Sequence, residues 1–284
     1  MTRFIRHYLL SVQFFTRVPV SGRLGNWVGF SPAMLRASAG HFPGVGWLVG
    51  GVVAAITALL LAYLPAASFA PLVAAVWGTA AGVLMTGAFH EDGLADVMDG
   101  LGGSPDRERA LLIMKDSRVG AFGAIAVVLA LLAKVSLLAL LGSLGIAVVC
   151  TALFLAHVVS RTWPLLLIRL MPHVGDAAGS KSKPLADQIS GASLATAFLW
   201  CFVALAAVVI AQAAMISGVN VGGEVGVVVA LAQPLLLGVL ASALAWVYMG
   251  RLLWRRLQGF TGDGLGATQQ VCEIAFYLGV ALAL

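Results

Sequence analysis

Residues Phe42 to Phe89 contain no Asp, Glu, Lys or Arg. A bilayer core of ~30 Å needs about 20 apolar residues per helix. The run therefore holds two membrane spans, divided at Leu64-Pro65-Ala66-Ala67-Ser68. Composition extends this reading to the whole chain: 61% of residues are hydrophobic, 10% are charged, and the mean hydropathy is +0.99. Soluble domains carry roughly 25% charged residues, so this chain cannot cover a globular surface with charge. At 284 residues, length alone suggests about two soluble domains. Composition overrides it and points to one integral membrane domain over residues 1–284. The same numbers exclude disorder, nucleic-acid scaffolds and disulfide-rich secreted folds.

The expected fold is all-α: a polytopic membrane bundle of about seven transmembrane helices plus an N-terminal interfacial helix. Spans are expected at about 43–64, 69–90, 120–141, 145–168, 191–216, 225–250 and from about 267 onward. Residues 4–20 mix aromatics with Arg, as an amphipathic helix lying on a leaflet does. Arg17 interrupts the first apolar stretch, so the N-terminus does not read as a cleavable signal. Cys150, Cys201 and Cys272 sit singly in apolar runs and read as small buried hydrophobes.

Basic residues fix the orientation. Arg3, Arg6, Arg17, Arg23 and Arg36 precede the first span; Arg107, Arg109, Lys115 and Arg118 lie in the 91–118 block. Arg161, Arg169, Lys181 and Lys183 follow around the 169–189 segment, and Arg251, Arg255 and Arg256 lie in the 251–266 segment. These are 16 of the 17 Lys and Arg, and the alternate loops hold none. Such segregation places the N-terminus and the long loops in the cytoplasm.

Seven of the 12 acidic residues lie between Glu91 and Asp116. Within them Asp92, Asp96 and Asp99 are spaced i, i+4, i+7, which puts them within about 60° of one helical face. Like charges so placed repel by a few tenths of a kcal/mol per exposed pair, and a multivalent cation removes that penalty. Carboxylates without thiolates suit Mg²⁺ or Mn²⁺. An acidic solvated helix end is the plainer alternative. His90 falls on the opposite side and is left out of the metal set.

Ser104-Pro105-Asp106-Arg107-Glu108 reads as a helix start with Ser104 as N-cap, so Asp106 and Glu108 are structural. Lys115-Asp116-Ser117-Arg118 crowds the entrance of the third span, and a cation pair around an acid suits a phosphate beside a metal; the alternative is positive-inside anchoring. Ser180-Lys181-Ser182-Lys183-Pro184 either grips phosphate or is a solvated loop. Gly259-Phe260-Thr261-Gly262-Asp263-Gly264-Leu265-Gly266 holds four glycines in eight residues, which lets backbone N–H groups approach an anion, with Asp263 a further candidate metal ligand; a tight turn into the last span is the alternative. Glu273 lies inside the last span, where an acid is a functional candidate by default. Lys134 is its expected buried partner, Arg161 is expected to face the site, and His157 reads as a core residue.

These residues resemble a known family. Phe89-His90-x-Asp92-Gly93-Leu94-Ala95-Asp96-x-x-Asp99-Gly100, Met114-Lys115-Asp116-Ser117-Arg118-x-Gly120 and Thr261-Gly262-Asp263-x-Leu265-Gly266-Ala267 are similar to motifs of the bacterial cobalamin synthases, the adenosylcobinamide-GDP ribazoletransferases. Phe14-x-Thr16-Arg17-x-Pro19, Phe42-Pro43-x-x-Gly46, Ser160-Arg161 and Ser180-Lys181-x-Lys183-Pro184 match in the same order, while Gln270 stands where some members carry Glu. The resemblance implies attack by the ribose 3′-hydroxyl of α-ribazole, or of its 5′-phosphate, on the cobinamide-side phosphorus of adenosylcobinamide-GDP. GMP would leave, with Mg²⁺ as cofactor, in the bacterial inner membrane with the site facing the cytoplasm.

Residue chemistry and resemblance together assign Asp92, Asp96, Asp116 and Arg118 to catalysis. Lys115, Ser117, Arg161, Ser180, Lys181, Lys183, Thr261 and Gly262 are assigned to substrate or phosphate binding, and Asp92, Asp96, Asp99 and Asp263 to the metal. The partners are the two substrates and the lipid bilayer; a homo-oligomer is left open and nucleic acid is not expected. Two rivals remain. A CDP-alcohol phosphotransferase needs a longer uninterrupted acidic helix than Gly100-Leu101-Gly102-Gly103-Ser104-Pro105 allows. A cation-coupled transporter concentrates its charges near the midplane, whereas these acids gather at the span boundary.

The charge segregation makes a direct prediction. A topology reporter fused after Ser143 reports the periplasm and one fused after Arg109 reports the cytoplasm; the reverse pair of signals would invert the whole arrangement.

Overall fold

The computed structural model describes the backbone of residues 2–175, 188–217 and 224–284, and the side chains of these outside 215–231. Among the described residues every regular element is helical apart from one bridge between His173 and Phe260. Three short helices come first: α1 (Thr2–Phe15), α2 (Gly22–Val28) and α3 (Pro32–Ser38). The long ones follow as α4 (Phe42–Tyr63), α5 (Ala70–Thr86), α8 (Ala121–Leu144), α9 (Ile146–Leu170), α10 (Gly191–Ser217), α11 (Glu224–Leu257) and α12 (Gly262–Ala281). Between α5 and α8 lie α6 (Phe89–Gly103) and the short α7 (Arg107–Ile113).

All seven expected apolar segments are helical. Pro32–Tyr63, α8, α9, α10 and part of α11 are each long and apolar enough to cross a membrane, and α5 joins them only together with α6. The seventh, α12, is not in that set; it carries Asp263, Gln269, Gln270 and Glu273 and packs against α6, α8, α9 and α11 instead of facing lipid.

The expected N-terminal interfacial helix over 4–20 is present but shorter. It stops at Phe15, where the Thr16 hydroxyl accepts the Val18 N–H at 3.1 Å. Its Leu10, Val12 and Phe15 are buried while its first residues are exposed, the pattern of a helix lying across a bundle end. The helix expected at about 69–90 is present and ends at Thr86, a few residues earlier. Gly87 (φ 68°) and Ala88 (φ 58°) both adopt the left-handed conformation, and the chain turns by 88° into α6. A side chain at 87 would have to displace the Arg17 guanidinium and would be strained by the positive φ, which glycine adopts freely. The Arg17 N–H also bonds the Met85 carbonyl at 2.8 Å, tying the N-terminal segment to the same turn.

Small residues let the helices close up. Gly46 and Gly50 of α4 lie against the backbone of His157 and Phe154 in α9. Gly78 of α5 lies against Thr57 of α4, and Gly279 of α12 lies against Leu237 and Ala241 of α11. This is how membrane helices gain contact when lipid offers no hydrophobic drive. At the other end of α11, Arg256 donates to the carbonyls of Leu101 (3.0 Å) and Ser104 (2.6 Å). Arg107 donates in return to the Leu257 carbonyl at 2.7 Å. Two arginines expected only to orient the chain thus satisfy the last carbonyls of α6 and α11.

Gly46→Val places methyls into the His157 backbone, whereas a Cβ at Gly51 on the same helix would meet nothing within 4 Å. Gly46→Val is therefore expected to lower stability by about 1–3 kcal/mol, and Gly51→Val to be near neutral. Denaturation midpoints in detergent compare them; equal midpoints would remove the α4–α9 contact from the account.

Candidate active site

The acids meet where α6 crosses the start of α12. Gly93 makes the crossing close: a Cβ there would stand 2.8 Å from the Asp263 carbonyl oxygen. Asp92 is exposed, Asp96 and Asp263 are half-buried, and Asp99 is buried. The like charges acting on Asp96 are, in order, those of Asp263, Asp92 and Asp99. Two segments far apart in sequence thus supply one acidic cluster. Thr261 caps α12, its hydroxyl accepting the Gly264 N–H at 3.0 Å, and Gly262 opens the first turn beside Asp263.

Asp99 is the member already engaged. Its two oxygens accept the N–H groups of Gly120 (2.7 Å) and Gly123 (2.8 Å) at the start of α8. A carboxylate from another helix therefore caps α8, and side chains at 120 or 123 would collide with it. Asp106, not Ser104, caps α7 by accepting the Arg109 N–H at 2.8 Å; Ser104 instead accepts the Asp106 N–H at 3.1 Å. Proline at 105 shapes that turn ahead of the helix rather than opening it.

Asp116 and Arg118 hold each other. Arg118 donates to both carboxylate oxygens, Nη2 to Oδ2 at 2.6 Å and Nε to Oδ1 at 3.0 Å, and its backbone N–H reaches Oδ1 at 3.1 Å. These bonds pull the Asp116 carboxyl down to about 2. An acid held so low is a poor proton acceptor near neutral pH, so the pair presents itself as one fixed, exposed unit. Lys115 and Ser117 are exposed beside it.

Below the acids lies a buried polar network. Lys134 of α8 pairs with Glu273 of α12 at 2.7 Å, with both side chains almost fully buried. Gln269 and Tyr277 donate to the same carboxylate at 2.6 and 3.0 Å. The His157 ring stands 3.7 Å from Glu273 and 2.9 Å from Arg161, which also donates to the His157 carbonyl at 2.9 Å. Gln270 donates to Glu91 at 2.9 Å, bridging α12 back to α6.

The expected pairing of Lys134 with Glu273 and the core position of His157 are both present. Arg161 is 1% exposed, with its guanidinium 5.6 Å from the Phe42 ring. It belongs to the buried network rather than to the exposed acidic surface. Ser180, Lys181 and Lys183 lie outside the described residues. Of the segments expected to line the site, the described start of one meets another: Phe260 donates to the Pro172 carbonyl at 3.0 Å and accepts from Val174 at 2.9 Å. Sequence reasoning passed over Glu91, Gln269 and Tyr277. Their signal was available: polar residues at 269, 273 and 277 share one face of a span.

Fold and site together define a membrane helical bundle with an acidic cluster where α6 crosses α12. The chain matches the family described as Cobalamin-5-phosphate synthase over residues 7–281. It is 70% identical, over the full length of both chains, to a protein of Albidiferax ferrireducens named adenosylcobinamide-GDP ribazoletransferase. A protein of the same name from Polaromonas sp. is 59% identical over 100% of this chain and 99% of its own. One from Vibrio cholerae is 38% identical over 95% of this chain and 91% of its own. No solved structure matches. The chain belongs to the Cobalamin-5-phosphate synthase family.

Breaking the buried pair tests the network. Lys134→Met strands the Glu273 carboxylate and is expected to cost about 3–5 kcal/mol. Adding Glu273→Gln removes the stranded charge and should recover most of that loss in a chemical-denaturation series. A single variant as stable as the parent would show that the pair does not hold α8 to α12.

Proposed function

We propose that this chain transfers the adenosylcobinamide-phosphate part of adenosylcobinamide-GDP to the 3′-hydroxyl of α-ribazole, or of its 5′-phosphate, releasing GMP. Adenosylcobalamin or its 5′-phosphate is the product. The carrying observation is the gathering of Asp92, Asp96 and Asp263 at the Gly93 crossing, in a chain whose relatives bear the transferase name. The reaction runs in the bacterial inner membrane, with the basic end of the bundle toward the cytoplasm.

The donor set fits Mg²⁺. It is made of carboxylates, and Mg²⁺ is commonly held by one or two of these together with substrate phosphates rather than by an all-protein cage. No three His, Cys, Asp or Glu groups among the described residues form a ready centre, so the substrate phosphates would have to complete the coordination. One or two of Asp92, Asp96 and Asp263 would hold the ion, and Asp99 fixes the neighbouring start of α8. When bound, the ion supplies positive charge to the pyrophosphate.

The residues then divide the remaining work. Attack by the ribose hydroxyl sheds a proton, and a carboxylate of the cluster accepts it; Asp116, held near 2 by Arg118, is a poor acceptor. The departing GMP carries away negative charge. Lys115 and Arg118 stand at the start of α8 that Asp99 caps and offset that charge as it develops. The α12 N-terminus adds backbone N–H groups at Gly262 and Asp263.

Purified protein in detergent, given both substrates and Mg²⁺, should release GMP in step with product. Asp96→Asn keeps the side-chain shape but removes the charge that draws the ion. It is expected to lose activity by orders of magnitude while inserting and purifying like the parent. Full activity at limiting Mg²⁺ would remove the metal from the mechanism, and absence of GMP from the parent would remove the reaction.

A further inference from the structure

The whole formal net charge of +5 resides in residues 1–90. They hold Arg3, Arg6, Arg17, Arg23 and Arg36 and no Asp or Glu, while the 12 cations that follow are matched by 12 acids. Arg3 and Arg6 lie one turn apart on α1. Arg6 Nε donates to the Val28 carbonyl at 2.8 Å, which fixes the guanidinium without neutralising it. Among the described residues no carboxylate pairs with either arginine.

Two hollows adjoin at this end of α1. The first, of about 390 Å³, is lined by Arg3, Arg6 and His7 of α1 and by Ala33, Met34 and Ala37 of α3, within the ~300–1,000 Å³ typical of small-molecule sites. Burial, and then the charges of Arg3 and Arg6, lower the His7 pKa, so the three side chains share one electrostatic neighbourhood. The second, of about 170 Å³, is lined by Phe4 of α1 and by Thr196, Leu199, Trp200 and Val203 of α10. Phe4 and His7 stand one turn apart and both pack on the His41 ring, with centroids 4.6 and 6.2 Å away. The cationic hollow and the apolar one are therefore neighbours around the same helix.

The apolar hollow follows a membrane span. Gly191–Ala214 of α10 is long and apolar enough to cross a bilayer. At 1.5 Å per residue, Thr196 to Val203 lie about 7–18 Å along α10 from Gly191. Leu199 is 57% exposed and Val203 43%. Phe4, Leu24, Trp27 and Phe30 are exposed as well, as side chains dipped into a leaflet are.

We propose that the two hollows together bind one anionic glycerophospholipid, its phosphate between Arg3 and Arg6 and one acyl chain along Phe4, Leu199 and Val203. The two halves select this occupant. A free phosphate or a nucleotide would use the cations and leave the apolar hollow empty. A zwitterionic lipid would bring an ammonium group to a segment that holds five arginines and no acid. Basic segments are drawn to anionic leaflets in general; here the Val28 carbonyl fixes one guanidinium, and the attraction becomes a contact at a defined place. The inference needs only the membrane fold and stands apart from the transferase reading.

Native mass spectrometry of the full chain released from detergent tests it, with phosphatidylglycerol and phosphatidylcholine of the same acyl chains as probes. One phosphatidylglycerol is expected to stay bound per protein, about tenfold more tightly than phosphatidylcholine. Arg3→Gln and Arg6→Gln should each weaken it about fivefold, the size of one basic residue's attraction to an anionic surface. Arg6→Lys keeps the charge and should retain most of the binding. Leu199→Trp fills the apolar hollow and should weaken binding several-fold, whereas Leu244→Trp, at a 71% exposed position of α11, should leave it unchanged. Equal retention of the two lipids, or no loss in Arg3→Gln, overturns the proposal. Displacement of the lipid by millimolar inorganic phosphate also overturns it, since the arginines would then be a site for a free anion. So does a loss in Arg6→Lys equal to that in Arg6→Gln, which would trace the effect to the Val28 bond.

Discussion

Charge in an apolar bundle must be paired, and that constraint organises this protein. Lys134 and Glu273 form an ion pair between α8 and α12 with both side chains almost fully buried. Arg161 and Glu91 add one more charge of each sign, acting on each other across the same interior. Gln269 and Tyr277 share Glu273, and Gln270 holds one oxygen of Glu91, while Glu91 Oε2 and Arg161 Nε have no hydrogen-bond partner. The bonds that are made, Lys134 to Glu273, Gln269 to Ser160 and Gln270 to Glu91, tie α8, α9 and α6 to α12 and so set their register together. The acids above it inherit their positions from that register.

Glycine then decides how near those acids come to one another. At Gly93 the backbone of α6 meets that of Asp263, and at Gly120 and Gly123 the start of α8 closes onto Asp99. The left-handed corner at Gly87 turns α6 across the end of the bundle instead of letting α5 run on. Without that corner Asp92 and Asp96 would continue along the axis of α5 and move away from α12.

The sequence made the helical segments legible because lipid demands unbroken apolar runs, and it marked the acidic cluster by its density. The Lys134–Glu273 pair was legible for the same reason, since two opposite charges isolated in apolar helices have few other partners. The corner at Gly87 was not, because it sits in an apolar run where no charge marks a boundary. Nor was the capping role of Asp99: its helical spacing with Asp92 and Asp96 is the same whether it faces a metal or the N-terminus of another helix. Arg161 illustrates a third limit. Position near a span end does not distinguish a side chain that reaches the surface from one turned inward beneath Phe42.

The bridge from Glu91 to Gln270 joins residues 179 positions apart, and the acidic cluster spans a similar interval. This bears on how the protein is made. As helices enter the bilayer in order of synthesis, α6 lies at the bundle end with its carboxylates mutually repelling and Glu91 without its amide partner. Arg256, which closes the C-terminal carbonyls of α6, and α12, which supplies Asp263, arrive only with the final segments. The nascent chain therefore spends most of its insertion without a competent site, and maturation of that site is a post-insertion docking event rather than a property of any helix as it is laid down.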